Sequence, residues 1–287
     1  MQKFAVIDIG SNSVRLMFVA DGNVLYKRLC TTRLGEGLAT SSTLKADAIS
    51  RTARAVADFY FQAQDAGAEK VYAYATAAVR SAENGLAFTS TVQDLCGINV
   101  EIINGETEAL LGAIGALGQK DGAMVDVGGA STEIVVQNDG KLVYKKSVDV
   151  GVVRLKDLCG EDKENLFAVA KEKSALFGQV PAIPVCHAVG GTATTLGAIY
   201  LGLSFYQPDK ITGAEITRNA MAELVERLLA MSVEEIAVLP CVSAGRADVL
   251  KGGAVWLYTL MQTLGIEKLV VSDKDNLEGY ACWKGLL

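Results

Sequence analysis

Positions 6–16 read VIDIGSNSVRL and positions 125–135 read VDVGGASTEIV. Each stretch places an apolar run before an Asp, a Gly two residues later, small polar residues, and then a return to apolar residues. Asp8, Gly10 and Ser13 stand in register with Asp126, Gly128 and Ser131. Apolar runs split by a Gly-containing polar turn read as strand–turn–strand units. One matched position reverses its charge, with Arg15 in the first copy and Glu133 in the second. A chain that opens two halves in the same way is constrained to two units of like topology.

The rest of the chain agrees with that division. FAVIDI, VRLMFVA and VLYKRLCTTRL read as strands. Ile49, Ala53, Val56 and Tyr60 then recur at helical spacing, and Gly67 closes that helix. VYAYAT and NVEIIN are strands with a helical stretch between them, and NGETEALLGAIGAL is helical. AMVDVGG, TEIVVQ and KLVYKKSV restart the opening unit. A helix near 161–177, the strand PVCHAVGG, a helix from Thr192, a helix capped by Thr217, a long helix from near Gly245, the strand KLVVS and a short final helix follow. The polar, Gly-containing GQKDGA marks a boundary near Gly118–Gly122. The expected architecture is α/β, with an N-terminal domain over 1–119 and a C-terminal domain over 120–287. Each has a mixed sheet flanked by helices, the last helix packs back on the first domain, and a cleft lies between.

Composition narrows the function. The 287 residues carry a net charge of -6, a poor match for a nucleic-acid backbone, although a local pocket can still hold a small anion. No stretch approaches 18 apolar residues, and the N-terminal apolar run is too short for a signal peptide. Six cysteines without a CxxC spacing fit free thiols in a reducing compartment. The expectation is a soluble cytoplasmic protein with no nucleic-acid or membrane partner, acting as a homodimer. The single histidine, His187, ends an apolar strand and is expected to be structural. Chemistry therefore falls to carboxylates, hydroxyls, backbone amides and arginines.

The repeated loops suit phosphate. Glycine lets backbone approach a ligand closely, and consecutive amides form an anion nest. Gly10, Ser11, Asn12 and Ser13 supply such donors in the first loop. Gly128, Gly129, Ala130, Ser131 and Thr132 supply them in the second. Asp8 and Asp126 end their strands as acceptors, which fits a cation lying between them and a phosphate. A third stretch, HAVGGTATTLGAI, carries Gly190, Gly191 and Thr192 into a helix N-terminus, another anion site.

Nine segments in order carry a more specific resemblance: VIDIGSNSVRL, RLGEGL, ATAAVRSAENG, INGETEA, VDVGGASTEIV, VGVVRL, VGGTATTLGAI, LPCVSAGRADVL and VVSD. Together they resemble the exopolyphosphatase and guanosine pentaphosphate phosphohydrolase family, within the sugar kinase, actin and heat-shock ATPase superfamily. The resemblance implies two actin-like (ribonuclease H-like) domains. It also implies release of orthophosphate from polyphosphate or guanosine pentaphosphate with Mg²⁺ or Mn²⁺. It places the catalytic carboxylate on Glu108, cation-linked carboxylates on Asp126 and Glu133, and a phosphate-binding arginine on Arg80. The residue chemistry agrees, since hydrolysis needs a carboxylate for water and positive charge around phosphoryl oxygens. Arg15, like Arg80, follows a strand-plus-loop segment and is expected at the same phosphate, because the guanidinium fork binds phosphate oxygens in pairs.

The chain departs from the family pattern at four places. Thr107 replaces an acid beside Glu108, and Ala130 replaces a glycine, which costs about 1 kcal/mol if its backbone is left-handed. Cys241 replaces a glycine. The ending SDKDNLEG puts Asp275 where glycine is expected and Leu277 where arginine is expected. Arg246 and Asp248 either bind ligand or form a structural pair, and the structural pair is the favoured reading. No extra C-terminal helical region follows, and no basic run exists to track long polyphosphate, so short-chain polyphosphate or a nucleotide polyphosphate is favoured. The competing readings are a non-catalytic nucleotide or phosphate sensor, suggested by these departures, and a sugar-kinase-like phosphotransferase.

Overall fold

The fold was obtained as a computed structural model, which describes residues 3–243 and 245–287. Its first half runs β1 (Lys3–Ile9), β2 (Ser13–Ala20), β3 (Asn23–Thr31), α1 (Ala46–Asp65), β4 (Lys70–Ala75), α2 (Ala77–Ser81), α3 (Gly85–Cys96), β5 (Val100–Ile102) and α4 (Gly105–Leu117). The second half opens with β6 (Gly122–Val127), β7 (Thr132–Asn138), β8 (Lys141–Val148), α5 (Val152–Cys159), α6 (Lys163–Ser174), β9 (Val185–Val189) and α7 (Gly190–Tyr200). It closes with α8 (Pro208–Ile211), β10 (Glu215–Thr217), α9 (Arg218–Ala230), α10 (Val233–Ala237), α11 (Ala247–Thr263), β11 (Lys268–Val271) and α12 (Asn276–Trp283).

Two mixed sheets repeat one topology. The first has the order β3-β2-β1-β4-β5 and the second the order β8-β7-β6-β9-β11-β10. In each, three antiparallel strands lead into parallel ones, and in the second sheet β10 closes the edge antiparallel to β11. The repeat extends to details not drawn from the sequence above. Asp21-Gly22 and Asp139-Gly140 both adopt positive φ in the second hairpin of their half, the turn whose twist matches antiparallel strands. Both hairpins also shift register beside that turn, at Phe18/Val19 and Val136/Gln137.

β1 is buried from Phe4 to Ile9 because it is central and covered on both faces. On one face, α1 and α3 pack Ala53, Val56, Phe59, Phe88 and Val92 against Ala5, Ile7 and Ile9. On the other, Phe4, Val6, Met17 and Tyr74 meet Leu277, Tyr280 and Ala281 of α12. α4 packs on the second sheet through Ala109, Ala113 and Leu117 against Met124, Val135 and Val189. α4 and α12 therefore form a shared layer between the two sheets. Their backbones meet because Gly115 and Gly279 carry no side chain where a Cβ would strike Asp275 O and Leu111 O. This contact carries the N-terminus of α12 into the space between the two lobes.

Some boundaries differ from the sequence reading. α7 starts at Gly190 rather than Thr192. The long helix α11 starts at Ala247, and α5 lies in the unassigned VGVVRL segment. The Thr217 cap is present, its side chain accepting from Ala220 N at 3.2 Å. Among the described residues, no helix is long and apolar enough to cross a membrane.

Candidate active-site cleft

The two Asp-x-Gly loops fold alike. Gly10 N donates to Ser13 O, and Gly128 N donates to Ser131 O, each at 3.0 Å. The carbonyls of the first loop are spent on the segment that follows β3. Ser11 O accepts from Gly35 N at 2.8 Å, and Asn12 O accepts from Thr32 N and Arg33 N at 3.0 and 2.9 Å. The loops touch across the lobe junction, where a Cβ on Gly129 would lie 2.8 Å from Ser11 Cβ and 3.0 Å from Asn12 N. Ala130 has no positive φ, so the alanine substitution carries no left-handed strain.

Between the loops lies a cavity of ≈ 80 Å³. That is room for a small anion, far below the roughly 300–1,000 Å³ of a drug-sized site. Gly10, Ser11, Asn12, Ser13, Gly128, Gly129, Ala130, Ser131, Gly190, Gly191 and Thr192 wall it, with Asp8, Arg15, Glu108 and Asp126. Thr76, Arg246 and Asn276 join them. A second, larger cavity of ≈ 990 Å³ adjoins it, and Arg15, Gly190, Gly191 and Arg246 wall both.

Three expected residues do not wall the inner cavity. Thr132 is a correction, because its hydroxyl faces the core. It donates to Val150 O at 2.5 Å and accepts from Trp256 Nε1 at 2.9 Å. Glu133 is 1% exposed and accepts from Ser147 Oγ at 2.7 Å. Arg80 donates to Glu108 Oε2 and to Ile103 O, both at 2.9 Å, so it orients the carboxylate. His187 pairs with Met124 in the sheet, outside both cavities.

The charge reversal of the repeat now has a geometry. Asp8 and Arg15 are cross-strand partners and form an ion pair. Asp126 and Glu133 hold the same positions in the second hairpin and are both acids. Burial, then repulsion from Asp275, pushes the Asp126 carboxyl up to about 7, with Arg15 opposing. Burial, then repulsion from Glu108 and Asp126, pushes Glu133 well above the usual carboxylate range. Burial raises Glu108 as well, and Arg80 opposes it.

These carboxylates suit a hard cation in chemistry, since all donors are oxygens and Asp8 Oδ1 is buried without a partner. Among the described residues, no three acidic, histidine or cysteine side chains form a ready cage. Asp126 and Asp8 are the wall residues that would hold such a cation.

Arg15 also pairs with Asp275, which caps α12 and holds Glu278 in a capping box. Arg246 and Asp248 do not form the expected pair. Asp248 pairs with Arg33 at 2.7 Å and with Lys156, tying the two halves together. Arg246 is 7% exposed, and among the described residues no carboxylate lies within ion-pair distance of it. Its guanidinium occupies the space that a side chain at Gly191 would fill. Burial, then repulsion from Arg15, lowers it to about 10. The sequence reading singled out Arg246 but favoured a structural pair with Asp248. An Arg directly after Gly245, at the head of a helix, was the available signal.

A two-lobed actin-like α/β protein with an amide-lined cleft at the lobe junction is the class that this fold and site define. The chain belongs to the Ppx/GppA phosphatase family, which it matches over residues 19–281. It is 31% identical to exopolyphosphatase 2 of Mycobacterium tuberculosis, across 98% of each chain. It is 29% identical to the guanosine-5'-triphosphate,3'-diphosphate pyrophosphatase of Photobacterium profundum, across 96% of this chain and 58% of that one. The crystal structure of an Aquifex aeolicus Ppx/GppA family member superposes with a TM-score of 0.79 at 26% identity, covering 99% of this chain and 98% of that one. An exopolyphosphatase-like crystal structure superposes with a TM-score of 0.89 at 25% identity and the same coverage. The resemblance and the fold class expected from the sequence are thus both found, and the chain is an enzyme of a hydrolase family.

Proposed function

We propose that the cleft hydrolyses the terminal phosphoanhydride of inorganic polyphosphate or guanosine pentaphosphate and releases orthophosphate. The observation that carries this reading is the convergence of Glu108, Asp126, Arg246 and two amide-lined loops on one anion-sized cavity. Amides of the Gly10–Ser13 and Gly128–Ser131 loops cradle the terminal phosphoryl group, and Arg246 offsets the charge on its equatorial oxygens. Glu108 accepts a proton from a water whose oxygen bonds to phosphorus in line with the leaving oxygen. The phosphorus–bridging-oxygen bond breaks, and its electron pair leaves with the shortened phosphate chain. Arg80 holds the Glu108 carboxylate in place for this step. Asp126, flanked by Glu133 and Asp8, would hold Mg²⁺ or Mn²⁺, which neutralises phosphoryl oxygens when bound. The protein is taken to act in the cytoplasm, where such substrates occur with reduced thiols.

The test is a phosphate-release screen over tripolyphosphate, longer polyphosphates and guanosine pentaphosphate, with Mg²⁺ and with Mn²⁺. Release from none of them by a folded protein that binds them would remove the hydrolytic reading and leave a sensor.

A further inference from the structure

The capping box at the head of α12 fixes the residue that follows it. Asp275 caps the helix and pairs with Arg15, so Asn276, the first residue of α12, is held at the lobe junction. Asn276 is buried and walls the inner cavity. Its Nδ2 donates to Asp126 Oδ2 at 3.3 Å, and among the described residues this is the one side-chain hydrogen bond that Asp126 receives. The other carboxylate oxygen, Asp126 Oδ1, fills the space that a side chain at Gly190 would take. Both oxygens of Asp126 are therefore located by neighbours, one by an amide and one by a bare glycine.

The amide is costly where it stands. Around it the seam between α4 and α12 is apolar, with Leu111, Leu277 and Tyr280 packed together and Met124 beneath α4. Asn276 Oδ1 is buried there without a partner. A Cβ on Gly112 would lie 3.0 Å from that oxygen and 2.7 Å from Met124 Cε, so α4 leaves room for the amide but offers it no donor. An unpaired buried carbonyl destabilises a fold, and an apolar side chain of similar size would avoid that loss. What the amide supplies instead is the hydrogen bond to Asp126. The opposite orientation would set Oδ1 against a carboxylate oxygen, so the donor is the end that faces Asp126.

We propose that Asn276 is a positioning residue for Asp126, holding its carboxylate in the orientation that receives the divalent cation. It acts through that carboxylate and takes no direct part in phosphoryl transfer. A ligand carboxylate already oriented by a hydrogen bond loses less freedom on taking a metal, and removing such a partner typically weakens metal affinity by about 10–100-fold. This inference rests on the phosphohydrolase reading of the cleft and deepens its cation site.

Asn276→Leu tests it, with Asn276→Ala as a second variant that adds no bulk. Mn²⁺ and, separately, orthophosphate without cation are titrated calorimetrically into wild type and both variants, and urea unfolding is followed alongside. Mn²⁺ affinity is expected to fall about tenfold in both variants. Orthophosphate affinity should stay within about twofold, and the urea midpoint of the leucine variant should hold or rise. A merely structural residue would weaken both ligands together, or neither. Unchanged Mn²⁺ affinity in a folded variant, or an equal loss for the two ligands, overturns the proposal. So does a loss confined to the leucine variant, which would reflect bulk alone. A wild type that binds orthophosphate but not Mn²⁺ removes the cation site and this proposal, and leaves the phosphate site standing. A wild type that binds neither removes the phosphate reading as well.

Discussion

Asp126 and Glu133 stand opposite one another on β6 and β7, in the positions that Asp8 and Arg15 hold on β1 and β2. The first pair neutralises itself across the strands. The second pair concentrates negative charge, and neither acid has a basic partner among the described ion pairs. Two like charges directly opposite on a sheet are destabilising. Burial and repulsion from neighbouring acids raise both carboxyls, and a cation would relieve that repulsion.

That arrangement sets a pH dependence. The Asp126 carboxyl is raised from 3.8 to about 7, so the folded state binds its proton more strongly than the unfolded chain does. The resulting stabilisation is complete below the unfolded value and is lost as pH rises through about 7. Glu133 and Glu108 shift in the same direction. Asp275 is held low by Arg15 and Lys27 against burial, and contributes in the opposite sense on acidification. Urea unfolding of the cation-free protein should therefore show stability falling between about pH 4 and 7, at up to ~1.4 kcal/mol per unit for each group. Asp126→Asn should flatten the slope, and an unchanged slope would remove Asp126 as its source.

Glu108 and Arg80 act as a unit in the proposed reaction. Glu108→Gln should lower kcat by about 10²–10⁴-fold, the usual contribution of a general base. Its melting temperature should hold or rise, since a buried charge is removed. Arg80→Ala should lower kcat in a similar way, and the double variant should be no worse than the Glu108 variant alone. Additive losses in phosphate-release kinetics would separate their roles.

Arg246 is a buried cation without a carboxylate, so stability and binding should move apart. Arg246→Ala removes an uncompensated charge and should leave the urea midpoint level or raise it. Phosphate affinity should fall by about 1.5–3 kcal/mol, as for other charged hydrogen bonds. Calorimetric titration of tripolyphosphate alongside urea unfolding reads both. A loss of stability with unchanged affinity would return Arg246 to a purely structural role.

Thr132 should show the reverse pattern. Thr132→Val keeps the shape but leaves Trp256 Nε1 and Val150 O without their partner. The expected cost is about 1–3 kcal/mol of stability. KM for the phosphate substrate should not change, because the hydroxyl faces the core. A raised KM in an otherwise folded variant would restore Thr132 to the phosphate site.

Much of the fold was legible because its signals are local. The periodicity of FAVIDI and VRLMFVA and the Thr217 cap depend on neighbours in the chain, and they reappear as β1, β2 and the start of α9. The Asp-Gly turns at 21–22 and 139–140 were also local signals and were overlooked. Side-chain direction was harder to read. Thr132 and Ser131 look equivalent in the sequence, but Ser131 ends the loop while Thr132 opens β7 with its side chain on the core face. Only Ser131 therefore reaches the cavity, while Thr132 faces Trp256.

The sequence by itself determined that two like α/β units exist, that each begins with an Asp-x-Gly loop, and that one matched position changes sign. Those properties follow from spacing and residue type along the chain. Tertiary structure alone decided which charges meet. Asp275 reaches Arg15 across 260 positions because α12 packs against α4 and β1. Arg246 lies over Gly191, and Asp248 is bound to Arg33 instead. A carboxylate or a guanidinium carries no record in the sequence of its eventual partner. Coulomb interactions and burial act through space, and only packing sets those distances.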